Sequence, residues 1–297
     1  MHVPTFSLRK TAVVATVAAA ALCGLAAGAG PASATDGWKH KPFDYYLALG
    51  DSLGAGWQPN ATTGQGYISG RGYADDIAAA LKDQGTKYLN LACPGETTGS
   101  MIHGGCPYPE PYGNQLDAAA DFLKAHKGDR VLVTLDIGAN DVDNCASASG
   151  LDIQCGLNGI KQTAQDLPVI LDKLHAAAGH KTEFVGSTYY NPFLASWLTG
   201  ASGQSTATLS AVFLNLFNAV FQVEYPLHGV RVADVSAAFS SNDFVHQVQL
   251  APGVTVPLNV ARICQWTWMC APKPVGPNIH ANDAGYQVMA KAFQDVI

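Results

Sequence analysis

The sequence predicts an α/β domain with a mostly parallel sheet that is covered by helices on both faces. Short apolar runs alternate along the chain with longer segments of helical composition, and this alternation is typical of βαβ units. The run "RVLVTLDIG" at 130–138 is almost continuously apolar, as expected of a strand buried on both faces. No internal repeat or low-complexity linker divides the series, so one domain is expected.

The first predicted elements flank a glycine-rich stretch. "YYLAL" at 45–49 is a short apolar run that ends at a glycine, which predicts a strand followed by a turn. "YADDIAAALKDQG" at 73–85 and "NQLDAAADFLKAHKG" at 114–128 have helical composition and a glycine at the end. Between these two helices, "KYLNLA" at 87–92 predicts the second strand, and 130–138 follows as the third.

The second half of the chain continues the alternation. Further strands are predicted at 181–190 and 230–235, and further helices at 160–179, 205–225 and 282–297. Pro168 lies inside the first of these helices and should kink or split it. In a parallel sheet of this kind, ligands bind beyond the carboxyl ends of the strands, so functional residues are expected in the loops there.

The N-terminal segment 1–34 has the order of a secretory signal peptide. "MHVPTFSLRK" carries positive charge, a run of apolar and small residues follows, and "ASA" at 32–34 offers a cleavage site. A retained membrane anchor is the alternative, but glycine and proline break the apolar run where cleavage is expected. We therefore expect a secreted, extracellular protein without a stable membrane anchor, whose mature domain spans 35–297.

The composition excludes several classes of function. Charged residues make up only 13% of the chain, and no basic stripe indicates nucleic-acid binding. No phosphate loop followed by Lys-Ser or Lys-Thr occurs, so no nucleotide is expected. "DVDN" at 141–144 is similar to the start of a calcium loop, but the glycine and the distal glutamate of such a loop are missing. We expect neither a metal nor another cofactor.

Cysteine usage agrees with export. Cys23 falls in the signal segment, and the remaining six cysteines are an even number, as expected in an oxidising compartment. Six cysteines allow fifteen pairings. They form three couples that are close in sequence, however, so we expect Cys93–Cys106, Cys145–Cys155 and Cys264–Cys270. A zinc site is the alternative, but no Cys-x-x-Cys or Cys/His ligand spacing supports it.

"GDSLG" at 50–54 fits the Gly-x-Ser-x-Gly pattern of a nucleophile elbow, with Ser52 as the nucleophile. The alternative is that this cluster of Gly, Asp and Ser is simply a turn. In an α/β-hydrolase such as a cutinase, several strands and the oxyanion loop precede the elbow. Ser52 follows the first predicted strand, so too little chain lies upstream of it for that fold.

Four motifs, taken in order, resemble the blocks of the SGNH/GDSL hydrolase family. They are "ALGDSLGAG" (48–56), "NLACPGETTGSM" (90–101), "DIGANDV" (136–142) and "NIHANDAGYQVMA" (278–290). The cysteine couples and "CQWTWMC" make the chain look similar to secreted actinomycete lipases and esterases of this family. The resemblance implies a flavodoxin-like, three-layer αβα fold with five parallel strands in the order 2-1-3-4-5.

The resemblance also implies roles for four residues. Ser52 is the nucleophile, and His280 is the base that a serine hydroxyl needs at neutral pH. The backbone N–H groups of Ser52 and Gly95 and the side-chain amide of Asn140 form the oxyanion hole. Taken singly, Gly95 could merely turn the chain and Asn140 could merely cap a strand end. Their occurrence with the serine and the histidine favours the catalytic interpretation.

The sequence departs from the family pattern next to the histidine. The family usually has Asp three residues before it, and here that residue is Pro277. A backbone carbonyl can accept the Nδ1–H of a histidine and fix its tautomer. We therefore expect the Pro277 carbonyl to orient His280. Asp283 follows the histidine and is expected to begin the last helix instead.

Aromatic residues indicate the substrate class. Phe213 and Phe217 lie four residues apart on a predicted helix and either belong to the core or wall an acyl pocket. Trp266 and Trp268 precede His280 and are expected to form an aromatic lip. These features favour a serine ester hydrolase, a lipase or esterase, that takes a small-molecule or lipid ester with a hydrophobic acyl group. We expect it to be a monomer.

Other functions remain compatible with the motifs. A carbohydrate (acetyl) esterase or a phospholipase of the same family would use the same four residues. A non-catalytic secreted binding protein on this fold would be expected to have lost at least one of them, and all four are present. The sequence therefore favours an enzyme but leaves the natural ester open.

Overall fold

Five parallel strands form the central sheet of the computed structural model, which describes residues 42–108, 111–147 and 150–297. The strands are β1 (Tyr45–Gly50), β2 (Lys87–Asn90), β3 (Val131–Asp136), β4 (Glu183–Ser187) and β5 (Arg231–Ala233). Their order in the sheet is β2-β1-β3-β4-β5, which confirms the predicted flavodoxin-like arrangement. The predicted signal peptide, 1–34, lies outside the described residues.

The middle of the sheet is buried on both faces. Every residue of β3 is buried, and so is all of β1 except its first residue. Leu47 of β1 pairs with Leu89 of β2 and with Val133 of β3. At the carboxyl end of this ladder Gly50 pairs with Asp136. The chain segments that follow β1 and β3 therefore emerge side by side at one edge of the sheet.

Nine α-helices occur in the described part of the chain. They are α1 (Tyr73–Leu81), α2 (Thr98–His103), α3 (Gln115–Ala125), α4 (Ala139–Val142), α5 (Ile153–Ala177), α6 (Ala201–Leu227), α7 (Val235–Ala238), α8 (Leu258–Trp266) and α9 (Asp283–Gln294). Helices α1, α7 and α8 pack against α9 on one face of the sheet, and α3, α5 and α6 pack side by side on the other. The expected three-layer αβα arrangement is thus confirmed.

Helix α5 is longer than the sequence predicts, and Pro168 does not split it. The Asp152 carboxylate accepts a hydrogen bond from the Cys155 N–H at 3.0 Å and so caps the first turn, several residues before the predicted start. Buried leucine side chains before and after Pro168 pack against the core. This packing offsets the backbone hydrogen bond that the proline cannot donate.

The short ribbons and 3₁₀ segments around the sheet were not predicted from the sequence. The described part of the chain contains two-stranded ribbons at Trp57–Pro59 with Gly66–Ile68, at Ala146–Ser147 with Gly150–Leu151, and at Gln247–Ala251 with Val254–Pro257. It also contains 3₁₀ segments at Lys82–Gln84, Asp143–Cys145 and Pro192–Thr199. Elements of this length show too few repeats of a hydrophobic period to be recognised.

All three predicted disulfides are present, and each closes a short loop. They join Cys93 to Cys106, Cys145 to Cys155, and Cys264 to Cys270. The first lies in the loop after β2, the second ties the 3₁₀ segment after α4 to the start of α5, and the third joins α8 to the segment that follows it. The disulfides therefore fasten loops and helix ends, while the sheet is held by its own core.

Candidate active site

Ser52 lies in a tight turn that follows β1. Gly50 has a φ of +134°, which only glycine adopts readily, and an added Cβ there would lie 2.0 Å from the carbonyl oxygen of Asp136. The Asp51 N–H donates to this same oxygen at 2.9 Å. The close approach of the two strands thereby holds Ser52 over the carboxyl edge of the sheet.

The side chain of Asp136 is buried beneath this turn. Its Oδ2 accepts a hydrogen bond from the Gly54 N–H at 3.1 Å, and its Oδ1 accepts one from the Tyr73 hydroxyl. Burial raises the pKa of Asp136 well above its ordinary value, and the neighbouring Asp51 carboxylate raises it further. Both effects disfavour a second negative charge below Ser52.

Asp51 anchors the same turn from the other side. One of its carboxylate oxygens accepts from the Leu53 N–H at 2.9 Å, and the other accepts from the Tyr189 hydroxyl at 3.1 Å. Burial raises the pKa of Asp51 as well, while its hydrogen bonds oppose that change. Both carboxyl groups hold the backbone on either side of Ser52, and neither is the partner of its hydroxyl.

The partner of the Ser52 hydroxyl is His280. Its Nε2 lies 2.8 Å from Ser52 Oγ, and its Nδ1 lies 2.8 Å from Asn278 Oδ1. The same Asn278 oxygen accepts the backbone N–H of His280 at 3.0 Å, so it must be the oxygen of the amide and not its nitrogen. Nδ1 then carries the proton, and Nε2 presents its lone pair to Ser52.

The acceptor of the Nδ1 proton corrects the expectation from the sequence. We expected the Pro277 carbonyl, whereas the structure places the Asn278 side chain there. An asparagine side chain readily folds back to accept the backbone N–H two residues later, and this local turn brings its oxygen against the imidazole. Asp283 begins α9, as expected, and its carboxylate accepts a hydrogen bond from Gln58 Nε2 at 2.7 Å.

The loop that carries His280 is fixed on several sides. The Trp268 N–H donates to the His280 carbonyl at 3.0 Å, and the Tyr190 hydroxyl donates to the Ile279 carbonyl at 2.8 Å. Trp57 stacks on the imidazole with ring centroids 4.0 Å apart. Burial lowers the pKa of His280 to about 4. The imidazole is therefore held rigidly and stays neutral over most of the pH range.

Asn140 lies in α4, directly after the carboxyl end of β3. Its Nδ2 donates to the carbonyl oxygen of Glu96 at 2.9 Å. An amide nitrogen carries two hydrogens, so this bond orients the group and leaves one hydrogen for a further acceptor. Asn140 lines the same cavity as Ser52 and His280.

Gly95 lies in the loop after β2, next to the residue that Asn140 contacts. Its φ is +84°, and an added Cβ would meet no atom within 4 Å. Glycine is thus required there by the backbone conformation and not by a lack of space. In the part of the chain that the structure describes, neither the Gly95 N–H nor the Ser52 N–H donates a hydrogen bond. Both N–H groups are therefore available to an incoming oxygen.

A buried network ties this loop to the end of β1. Glu96 accepts hydrogen bonds from Ser100 Oγ at 2.5 Å, from the Tyr108 hydroxyl at 3.0 Å and from Gln115 Nε2 at 3.1 Å. Gln115 in turn exchanges two hydrogen bonds with the backbone of Gly50, at 2.7 and 2.9 Å. The positions of Gly95 and Ser52 are thereby coupled through side chains that lie outside the site itself.

A cavity opens beside Ser52 and His280. Much of its wall is apolar, and it includes Val142, Ile160, Phe193, Phe213, Leu214 and Phe217. Phe213 and Phe217, which the sequence singled out, therefore lie in this wall as well as on α6. Ser52 and His280 share one cavity with these apolar side chains, so an ester bound at Ser52 could place its acyl group against them.

Trp266 and Trp268 do not line this cavity, which corrects the expectation of an aromatic lip. The ring of Trp266 packs edge-on against Phe239, with centroids 5.2 Å apart. Trp268 Nε1 donates to Gln58 Oε1 at 2.8 Å. The place beside the imidazole is already occupied by Trp57, so the disulfide loop supports the histidine through its backbone instead.

Comparison with known families assigns the chain to one of them. The model of the GDSL-like lipase/acylhydrolase family matches residues 48–288, which is most of the chain. The chain belongs to this family. The resemblance carried by the four sequence motifs is thus confirmed, and the protein is a carboxylic ester hydrolase of the GDSL family.

Solved structures share the fold of this GDSL-family hydrolase. An extracellular lipase from Streptomyces rimosus is 20% identical over 84% of this chain and 99% of that chain, with a TM-score of 0.52. A phospholipase A1 from Streptomyces albidoflavus NA297 is 18% identical over the same shares, also with a TM-score of 0.52. A comparison with curated protein sequences gave no match.

The cavity of this GDSL-family hydrolase also contains an acidic side chain that the sequence did not single out. Asp143 lies in the 3₁₀ segment after α4 and lines the cavity together with Ser52. Burial, and then the charge of Asp51, raise the pKa of Asp143 to about 7. Its charge therefore changes near neutral pH.

One cluster resembles a metal site but is not one. Cys93, Glu96 and Cys106 lie close enough together to share an ion. The two cysteines are joined in a disulfide, however, and a disulfide offers no thiolate to a metal.

Residues that sequence reasoning missed lie near the motifs in sequence. Trp57 follows Ser52 by five residues, and Asn278 precedes His280 by two. Asn278 could have been recognised from the sequence, because it carries a hydrogen-bond acceptor two residues before the histidine. The stacking of Trp57 on His280 brings together residues from opposite ends of the domain, so no local sequence pattern predicts it.

Proposed function

We propose that this protein is a secreted serine esterase or lipase that cleaves hydrophobic acyl esters through an acyl-enzyme on Ser52. The observation that carries the proposal is the chain of contacts Ser52 Oγ–His280 Nε2–Asn278 Oδ1, each link 2.8 Å long. A serine hydroxyl needs a base within this reach to become a nucleophile, and the base needs a third group to orient it.

In the acylation step Ser52 Oγ attacks the ester carbonyl carbon while His280 Nε2 takes the hydroxyl proton. The carbonyl oxygen becomes an oxyanion that accepts hydrogen bonds from the N–H groups of Ser52 and Gly95 and from the amide of Asn140. When the intermediate collapses, the bond to the leaving alkoxide breaks and Nε2 gives that oxygen the proton. The acyl group remains on Oγ, and the alcohol departs.

Water then hydrolyses the acyl-enzyme. His280 Nε2 takes a proton from the water as its oxygen attacks the acyl carbon, and the same three donors bind the second oxyanion. Collapse of this intermediate breaks the bond to Ser52 Oγ, which recovers its proton from Nε2. The carboxylic acid is released, and the site returns to its starting state without a metal or a cofactor.

The apolar wall of the cavity favours a hydrophobic acyl group. Phe213, Leu214 and Phe217 on α6 and Ile160 on α5 offer aliphatic and aromatic surface to the acyl chain. Burial of an acyl chain there stabilises the complex by about 0.8 kcal/mol for each methylene group. This supports a lipase or esterase over a carbohydrate esterase of the same family.

Secretion is part of the proposal. Three disulfides in a chain of this size support an oxidising compartment. The order of charge, apolar run and Ala-Ser-Ala in 1–34 supports export through a cleaved signal peptide. N-terminal sequencing of protein from the culture medium of an expressing host should begin at residue 35.

Two experiments test the chemistry. A series of p-nitrophenyl esters from acetyl to palmitoyl should show kcat/KM rising with acyl length beyond acetyl, and acetyl-xylan should be a poor substrate. A fluorophosphonate should label the protein once, and mass mapping should locate the label on Ser52, with Ser52→Ala as the unlabelled control. A label on another serine, or activity retained by Ser52→Ala, would contradict the mechanism.

A further inference from the structure

Helix α6 (Ala201–Leu227) leaves an apolar face uncovered. Five aliphatic side chains on it are 40–74% exposed: Leu209, Val212, Leu216, Val223 and Leu227. Their spacings of three, four and seven residues put them on one side of the helix. We refer to these five residues as the α6 stripe. The opposite side of α6, with Phe221 and Tyr225, is buried in the core.

The α6 stripe has no charge. Within α6, all of which the structure describes, Glu224 is the only charged residue. Its carboxylate lies 3.9 Å from a ring nitrogen of His228, at the C-terminal end of the helix. By length and composition α6 would suit a membrane span, although its buried face makes it a core helix here. The exposed face of α6 is therefore uncharged and aliphatic, which favours contact with an apolar partner over contact with water.

Phe213 joins the α6 stripe to the cavity. It lies one helical turn from both Leu209 and Leu216, and its ring forms part of the cavity wall. The ring faces α5, where a Cβ added to Gly156 would come within 3.2 Å of it. Phe213 therefore connects the wall of the cavity with the exposed apolar face of α6.

Helix α5 extends the apolar surface across the cavity. Ile153 and Leu157, in its first two turns, are 48% and 42% exposed. They flank Gly156, which lines the cavity against Phe213. Exposed aliphatic side chains thus border the cavity on both helices. A group of exposed aliphatic side chains of this size is typical of an interaction surface.

We propose that the α6 stripe, together with Ile153 and Leu157, docks the enzyme on a neutral lipid–water interface. The inference rests on the proposed function, because docking there would let an acyl chain pass from the lipid into the cavity without crossing water. The absence of lysine and arginine from α6 and the net charge of −6 give anionic lipids no attraction, so zwitterionic or uncharged lipid is the partner.

The test measures binding separately from catalysis. Full-length mature protein carrying Ser52→Ala, which cannot hydrolyse lipid, is sedimented with phosphatidylcholine vesicles and with vesicles containing phosphatidylglycerol. Val212→Gln with Leu216→Gln should lower the partition coefficient to phosphatidylcholine by roughly tenfold or more. The matched control, Ile68→Gln with Val254→Gln, removes equally exposed aliphatic groups elsewhere and should bind like the parent.

Each outcome decides the proposal. Equal binding by the two double variants, no binding by the Ser52→Ala parent, or preference for phosphatidylglycerol overturns it. A second overturning outcome is a dimer in solution, with no vesicle binding, that the Val212→Gln and Leu216→Gln double variant dissociates. The partner of the α6 stripe would then be a second copy of this chain. With Ser52 intact, both double variants should hydrolyse soluble p-nitrophenyl butyrate at the parent rate. Failure of the parent on that ester would contradict the proposed function and leave the binding result standing.

Discussion

Asn278 Oδ1 accepts two hydrogen bonds from His280, one from Nδ1 at 2.8 Å and one from the backbone N–H at 3.0 Å. One oxygen therefore fixes both the path of the chain and the tautomer of the ring. An amide has no net charge, so it orients the imidazole but stabilises the imidazolium less than a carboxylate would.

Replacing Asn278 with alanine should lower kcat by about 10–100-fold with little change in KM, because the ring loses its orientation while the substrate contacts remain. The loss should be smaller than the roughly 10⁴-fold loss that follows removal of the proper tautomer in an aspartate triad. Steady-state kinetics with p-nitrophenyl butyrate measure both constants. Pro277→Ala is the control, since it keeps the backbone carbonyl and should stay close to the parent. A parent-like kcat in Asn278→Ala would show that the Asn278 side chain is not the group that orients the imidazole.

The pH profile should follow the His280 imidazole. Its pKa is lowered by burial to about 4, and the neutral ring is the base, so kcat/KM should fall only as pH drops toward 4. In Asn278→Asp a carboxylate beside Nδ1 favours the protonated ring, so its pKa rises and the acid limb moves to higher pH. A profile of kcat/KM from pH 3.5 to 8 compares the two proteins. An acid limb near 6.5 in the parent, or no movement in Asn278→Asp, would refute this account.

Asn140→Ala should keep measurable activity but lose roughly 10²–10³-fold in kcat, the usual cost of one oxyanion donor. The remaining donors are backbone N–H groups, which the substitution does not remove. The rate of fluorophosphonate labelling should fall in parallel, because that reaction also places an oxygen among these donors. An unchanged kcat would mean that the amide only supports the Glu96 carbonyl.

Asp143 should make the binding of long acyl chains depend on pH. Its pKa of about 7 leaves it neutral below that pH and charged above it, and a carboxylate in an apolar cavity opposes acyl burial. KM for p-nitrophenyl octanoate should therefore rise between pH 6 and 8. In Asp143→Asn the group stays neutral, so KM should be flat over this range. A rise that persists in the variant would assign the effect to another group.

The sequence predicted the elements whose signal is local and long. The continuous apolar run of β3 and the helical composition of α3 needed no knowledge of their neighbours. The roles of Ser52, Asn140 and His280 were predicted from the resemblance of their motifs to the blocks of the GDSL family, and the structure places all three residues beyond the carboxyl ends of the strands, where parallel sheets bind ligands.

What the sequence could not supply depended on side-chain direction or on distant contacts. Whether Pro277 or Asn278 faces Nδ1 is decided by one rotamer and one turn. The tryptophan beside His280 proved to be Trp57, which is remote in sequence, and not Trp266 or Trp268, which are close to it. Proximity along the chain was therefore a poor guide to which aromatic ring lies beside the imidazole.

Gly50 and Gly95 both have positive φ, and substituting alanine should separate conformational strain from steric exclusion. At Gly95 a Cβ would meet no atom within 4 Å, so Gly95→Ala should lower the free energy of unfolding by about 1–2 kcal/mol, the cost of left-handed backbone. At Gly50 a Cβ would lie 2.0 Å from the backbone oxygen of Asp136, which cannot move without parting β1 from β3. Gly50→Ala should therefore cost more than about 4 kcal/mol or prevent folding.

Urea unfolding followed by circular dichroism measures both variants, and each kcal/mol corresponds to roughly 2–4 °C in Tm for a domain of this size. The fluorophosphonate labelling rate adds a functional reading. Gly95→Ala should slow labelling more than its small loss of stability explains, because the N–H that meets the oxyanion is displaced. Equal losses of stability in the two variants would show that Gly50 is needed for its φ alone, and the close approach of β1 to Asp136 would not be what holds Ser52 in place.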